Sequence, residues 1–262
     1  MTQSIEPSHY SFGDNDVANE RLRLLAATYA PSSRSLLREV LPTKVELALD
    51  LGSGPGHTTA LLAGATQASV VVGYERSRRY LERAAAHYPE LTFCEQDVLT
   101  PPFPHRDADV VYSRFLLTHL HDPLAAMTAW STLLKPGGLM ILEETAHLAS
   151  PIEAFQRYYL LVAEMQSNYG QELHIGRKLD GFARRTGQRI RLSRQQVLSL
   201  PGQQMARLHA MNLATWKQDP KMRQSHGIAE LERLERELSQ LADAPGGIAP
   251  VTSTMAQLVV ER

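Results

Sequence analysis

The sequence predicts an α/β fold, and three observations predict it. Val45, Leu47, Leu49 and Leu51 make an apolar run that fits a buried strand, and Gly52, Gly54 and Gly56 follow at alternate positions before a helical segment. A second apolar run, Ala68 to Tyr74, ends at Glu75, about twenty residues beyond the glycines. From there strand-like and helix-like segments alternate as far as Glu143, the pattern of strands joined by crossover helices.

Taken in order, Ala18, Leu22, Leu25 and Tyr29 recur at helical spacing, and Pro31 is expected to open a second short helix that stops before Pro42. After the glycine loop a helix runs from about His57 to Ala63. Leu91 to Glu95 reads as a short third strand and Asp107 to Ser113 as a fourth. A helix over Pro123 to Leu134 is expected to end at Lys135-Pro136-Gly137-Gly138, which turns the chain into a fifth strand, Leu139 to Glu143. Ser150-Pro151-Ile152-Glu153 reads as a capping box opening a helix with Ile152, Phe155, Tyr159 and Val162 on one face. A sixth strand falls within Arg189 to Leu200, and a helix follows over 201–219. Ile228, Leu231, Leu234, Leu238 and Leu241 mark a last helix whose stripe serves the domain surface or a partner helix. Thr254 to Val260 is expected to close the sheet edge. The chain thus divides into a helical lead-in (1–44), a core (45–147), a helical lid (148–188) and a closing segment (189–262).

A chain of 262 residues, 43% hydrophobic and 21% charged, can bury one sizeable core with room for an added lobe. Its net charge of -1 offers no basic field to a nucleic acid backbone, so no nucleic acid partner is expected. The single cysteine, Cys94, rules out an internal disulfide framework and reads as a small buried hydrophobe. The N-terminus lacks the basic and apolar regions of a signal peptide, and no apolar run approaches membrane-spanning length. A cytoplasmic enzyme without membrane attachment is expected, as a monomer or a homodimer. His119 and His121 lack the cysteine or acidic companions of a metal site, so no metal is expected.

The glycine loop narrows the cofactor. A dinucleotide fingerprint needs G-x-G-x-x-G, yet here His57 stands where the last glycine would be. Asp50 precedes the loop at the strand end, where a carboxylate repels a pyrophosphate and attracts an ammonium. S-adenosylmethionine (SAM) carries no phosphate, a sulfonium and an amino acid end, and fits this acidic loop better. Asp50 to Gly56, D-L-G-S-G-P-G, resembles motif I of the class I SAM-dependent methyltransferases, and three later stretches fall in that family's order. The resemblance covers residues 45–145 well and implies a Rossmann-like, seven-stranded, mostly parallel sheet with helices on both faces, a reversed last strand and a helical substrate cover.

Site residues follow from both readings. Asp50, Gly52, Ser53, Gly54 and Gly56 would hold the methionine end of SAM, and Glu75 would accept two ribose hydroxyls with its two oxygens. Arg76 adjoins that position. The resemblance implies that Asp97 receives the adenine amine while Val98 packs on the ring. Asp97 equally suits an Asx turn. Ser113 and Arg114, at the end of strand four, resemble motif IV, which faces the reactive methyl. The candidate catalytic residues are His119, Glu144 and His174, in an otherwise proximity-driven transfer. Tyr10 is expected to cover the site with Phe12, and Tyr158, Met165, Tyr169 and Trp216 to line the acceptor pocket or the core.

The expected reaction is transfer of the SAM methyl to an oxygen, nitrogen or carbon of a small apolar or aromatic metabolite, with S-adenosylhomocysteine (SAH) as product. An NAD(P)-dependent oxidoreductase fits the strand, the glycines and Glu75, but leaves Asp50 and the early third glycine without a reason. A SAM-binding fold without transferase activity is the remaining alternative, because the loop motifs describe binding alone.

Overall fold

A computed structural model of the chain describes residues 16–262. Seven strands form one sheet: β1 (Leu47–Leu51), β2 (Val70–Glu75), β3 (Thr92–Glu95), β4 (Ala108–Arg114), β5 (Leu134–Ala149), β6 (Arg189–Leu200) and β7 (Val251–Glu261), in the order β3-β2-β1-β4-β5-β7-β6. Pairings among β1 to β5 are parallel, and β7 runs antiparallel to both β5 and β6. The expected mostly parallel sheet with a reversed last strand is therefore present. Every residue of β4 is buried, as expected of a central parallel strand covered on both faces.

Helices cover both faces. On one, α4 (Pro123–Ser131) and α6 (Leu179–Thr186) pack Met127, Trp130, Leu179 and Ala183 against Leu49, Leu51 and Val111. On the other, α1 (Asp16–Val40) and α2 (His57–Thr66) bring Leu36, Leu37, Leu61 and Leu62 onto Ala48, Val110 and Ile141. A third apolar cluster joins α5 (Glu153–Ser167), α7 (Gly202–Trp216), α8 (Pro220–His226) and α9 (Ile228–Ala242) into a helical cap. The remaining helix, α3 (Arg78–His87), starts at Ser77, whose hydroxyl accepts the Tyr80 amide.

Several expectations are corrected. Pro31 sits inside one continuous helix, α1. It removes one amide donor, and burial of Tyr29, Ala30, Ser33 and Leu36 on either side holds the helix together. Lys135 to Gly138 does not precede β5 but lies within it, as an irregularity where Ala108 pairs with Leu134 and Val110 with Leu139. A Cβ at Gly138 would stand 2.7 Å from the Ala108 carbonyl oxygen, so the close approach requires glycine. The capping box does not form: the Ser150 hydroxyl accepts the Ile152 amide in a local turn, and the helix begins at Glu153. Strand β7 lies between β5 and β6 and leaves β6 as the edge. Of the two readings of the α9 stripe the structure agrees with packing on the domain, with Leu231, Leu234 and Leu238 buried in the cap cluster. Residues 148–188 occupy two places: α5 belongs to the cap, whereas Ile175, Leu179 and Ala183 belong to the core under the sheet.

Candidate active site

The sheet order reverses between β1 and β4, which opens a crevice at the carboxyl ends of the strands. A cavity of about 800 Å³ fills that crevice, within the range of small-molecule sites. Its wall comes from the loop after β1, the ends of β2, β3 and β4, and the inner face of α1.

The loop is held from below. The amides of Gly52 and Ser53 both donate to the Tyr74 carbonyl at 2.9 Å, and the Gly54 amide donates to Glu75 Oε2 at 2.9 Å. Gly52, Gly54 and Gly56 all have positive φ, 69°, 53° and 86°, which glycine adopts without strain. Glu75 Oε1 accepts the amides of Arg76 and Ser77 at 2.8 Å. The carboxylate therefore ties the glycine loop to the start of α3. Burial pushes its pKa up, against the pull of these amides. A carboxylate offers about four lone-pair sites, so with three amides bound one remains for a ligand hydroxyl, rather than the two expected. Beneath the loop, a Cβ at Gly73 would meet Phe93 Cδ1 and Thr59 Oγ1 at 2.8 Å. Gly73→Ala is expected to cost about 1–3 kcal/mol of overpacking and to lower the melting temperature, as differential scanning calorimetry would show. An unchanged melting temperature would contradict this packing.

Asp50 is 1% exposed and lies behind the cavity wall rather than in it. Its Oδ2 accepts the hydroxyls of Thr58 and Thr59 at 2.7 Å, while Oδ1 has no partner. Burial pushes its pKa up to about 6. Ser53, which lines the cavity, also has a buried hydroxyl without a partner. These two atoms are what a ligand ammonium or amino acid end would satisfy.

At the other end of the cavity, Asp97 and Val98 both reach the wall. Asp97 is exposed, and its Oδ1 accepts the Leu99 amide at 2.8 Å. The Asx turn and a place in the cavity thus coexist, with Oδ2 left for a ligand donor. The Val98 carbonyl is fixed by the Trp130 indole at 2.9 Å.

The inner end is formed by α1 and the end of β4. Arg114, 8% exposed, donates to the Ser33 hydroxyl at 2.9 Å. Phe115 follows in a left-handed conformation, φ 56°, uncommon for an aromatic residue, with its amide on the Glu143 carbonyl. That conformation sends its ring onto Tyr29 of α1, centroids 4.9 Å apart. Arg21, 4% exposed, reaches the wall from α1 beside Leu22, Leu25 and Ala26. His119 lines the cavity as a neutral ring, since burial, with Arg21 nearby, drives its pKa down to about 3. His57 is held at about 4, mainly by burial and by His87.

The structure brings Gly52, Ser53, Gly54, Glu75, Arg76, Asp97, Val98, Arg114 and His119 to one cavity. The other expected residues lie elsewhere. Gly56 shapes the loop, and Ser113 is fully buried in β4. Glu144 is buried behind the wall, where Oε1 accepts the Leu116 and Leu117 amides at 2.8 and 2.7 Å. It shapes the turn that carries His119, and burial pushes its pKa up to about 8. His174 stands against His147, ring centroids 5.9 Å apart, outside the cavity wall. Tyr158, Met165 and Trp216 are buried in the cap cluster, and Tyr169 donates its hydroxyl to Asp219 under the Lys221 ammonium. Helical spacing is the same for a core stripe and a pocket stripe, and here the stripe is core. Tyr10 and Phe12 lie outside the described residues. Sequence reasoning missed Arg21, Leu22, Leu25, Ala26, Phe115 and Leu116. Arg21 beside the apolar stripe of α1 was the available signal. Among the described residues no cluster of side chains could hold a metal ion, and no helix is long and apolar enough to cross a membrane.

Residues 49–142 match the family model for a methyltransferase domain. Over 127 residues the chain is 35% identical to a trans-aconitate 2-methyltransferase of Methylobacterium radiotolerans, covering 48% of each chain. The chain spans about half the length of the curated relatives it matches. Among solved structures, a cyclopropane synthase of Mycobacterium tuberculosis matches with TM-score 0.59 and 18% identity, over 97% of this chain and 100% of that one. A phosphoethanolamine N-methyltransferase 2 of Haemonchus contortus, solved with SAH, matches with TM-score 0.54 and 17% identity, over 95% of this chain and 60% of that one. These two likenesses concern the fold.

Proposed function

This chain carries a methyltransferase domain of the class I, SAM-dependent kind, and from that premise we propose that it transfers the SAM methyl to a small-molecule acceptor. The observation that carries the reading is the buried pair of unpartnered atoms under the glycine loop, Asp50 Oδ1 and the Ser53 hydroxyl, which suits an amino acid end with its ammonium and not a pyrophosphate. In this reading Glu75 also takes a ribose hydroxyl, Asp97 and Val98 hold the adenine, and Ser53, Asp50 and Arg114 serve the amino acid end. SAM supplies a methyl already activated by the sulfonium charge, so the protein has to position the reactants and exclude water. Leu22, Leu25 and Phe115 line the inner end, where this reading places the acceptor.

Calorimetric titration with SAM, SAH and NADH tests the cofactor. Micromolar binding of the first two is expected; binding of NADH alone would replace this reading with an oxidoreductase. Relatives bear the name trans-aconitate 2-methyltransferase, which makes trans-aconitate the first acceptor to assay with methyl-labelled SAM.

Asp50 gives the binding a pH dependence. A ligand ammonium favours the ionised carboxylate, whose pKa is about 6 in the free protein. Affinity for SAM and for SAH is therefore expected to rise by about tenfold from pH 5 to pH 7. Asp50→Asn should flatten that slope, and an equal slope in the variant would remove Asp50 from the ammonium site.

A further inference from the structure

Resting on the methyl-transfer reading, we propose that His57 binds the carboxylate of the cofactor's amino acid end together with Ser53 and the first turn of α2, and that Tyr88 sets the ring tautomer this requires. His57 is the first residue of α2 and lines the cavity. Its Nδ1 lies 2.8 Å from the Tyr88 hydroxyl, and its Nε2 is buried without a partner. Burial holds the ring neutral, with a pKa of about 4, so it carries a single proton. Burial also raises the pKa of Tyr88, so the phenol keeps its own proton. A phenol is a better donor than acceptor, and a bare imidazole nitrogen accepts. Tyr88 therefore donates to Nδ1, and the ring proton resides on Nε2. Packing places the phenol for this task. A Cβ at Gly56 would stand 3.0 Å from Tyr88 Cδ2, so the ring lies directly against the glycine loop.

Three features around that donor select an anion. Ser53 is 3% exposed, lines the cavity and has a hydroxyl without a partner. Its carbonyl accepts the Gly56 amide at 3.0 Å, a turn that brings Ser53 and His57 to the same end of the loop. Next, α2 starts at Gly56 with no side-chain cap, so the partial positive charge of its first turn is not met by the chain's own side chains. Finally, the charge of Arg114 reaches both His57 and Asp50. SAM and SAH each carry one anionic group, the α-carboxylate, while their hydroxyls lie on the ribose that Glu75 serves. The negative pole stands close by. Asp50 accepts the hydroxyls of Thr58 and Thr59, the two residues after His57, and keeps Oδ1 for the ammonium. A donor set for a carboxylate beside an acceptor for an ammonium matches an α-amino acid, in which both groups share one carbon.

Calorimetric Kd values for four ligands test this. SAM and SAH carry the whole amino acid end, decarboxylated SAM keeps the ammonium and lacks the carboxylate, and 5′-methylthioadenosine lacks both. His57→Ala is expected to weaken SAM and SAH by about tenfold, the loss of one charge-assisted hydrogen bond, and to leave the other two within about twofold. His57→Gln, whose amide nitrogen reaches the place of Nε2, should bind SAH within about threefold of the wild type. Tyr88→Phe removes the hydroxyl that fixes the tautomer, and is expected to weaken SAH by about threefold without changing 5′-methylthioadenosine. Unchanged binding of 5′-methylthioadenosine shows that a variant is folded, and Tyr88→Phe carries the test if His57→Ala is not. If His57 only packs against Tyr88, its removal weakens all four ligands alike or none of them, and either result overturns the proposal. Failure of SAM and SAH to bind the wild type would instead overturn the reading on which it rests.

Discussion

Glu75→Ala is expected to weaken SAM and SAH binding by about 100-fold or more, the largest functional effect of any single substitution in the cavity. The side chain accepts the Gly54 amide on one oxygen and the Arg76 and Ser77 amides on the other. Its removal costs the ligand hydroxyl a charged acceptor, worth roughly 1.5–3 kcal/mol, and also releases the loop that the ligand needs in place. Each 1.4 kcal/mol is about tenfold in Kd, so the two losses together reach the stated size. Glu75→Gln makes the comparison sharper. Its amide nitrogen must face a backbone N–H on one side or the other, donor against donor, so it should rescue little despite equal volume. Calorimetric Kd values for both variants check this. A glutamine variant that binds SAH as the wild type does would show that the loop does not depend on the second oxygen.

The part of the site that Glu75 organises was legible because its signals are local. Buried β1 and β2 are short apolar runs, and glycines mark the turn between β1 and α2, so strand ends and loop residues were located to within about two positions. The inner end depends on distant packing. Leu22 and Leu25 have the spacing of any amphipathic stripe, and nothing nearby in sequence says that α1 lies over Gly54, with Leu22 Cδ1 3.6 Å from where a Cβ of that glycine would be. Phe115 reads as one more apolar residue after β4, and its left-handed backbone turns it from the sheet towards Tyr29. The length of β5 was hidden by Pro136 and Gly137, which punctuate a chain in most settings. Here the irregularity at Gly138 lets the strand pass them. The interior place of β7 is a pairing of residues more than a hundred positions apart with β5, which no local pattern encodes.

The cap tells the two meanings of an aromatic stripe apart through Trp216→Ala, which is expected to lower the melting temperature by on the order of 10 °C. Trp216 is fully buried in the cluster of α5, α7 and α9. Truncating such a residue costs about 3–5 kcal/mol, and each kcal/mol is about 2–4 °C in a chain of this size. Trp216→Phe isolates the packing, because its ring keeps much of the volume and removes an indole N–H that is buried without a partner. That variant should stay within about 1.5 kcal/mol of the wild type. Scanning calorimetry reads both, beside the Kd for SAH, which neither should change since Trp216 does not line the cavity. If Trp216→Ala instead leaves the melting temperature alone and raises the KM of an acceptor, the stripe of Tyr158, Met165 and Trp216 faces a ligand after all. The cap would then be a second wall of the acceptor site, and Arg21, whose charge already reaches Tyr158, would stand between the two compartments.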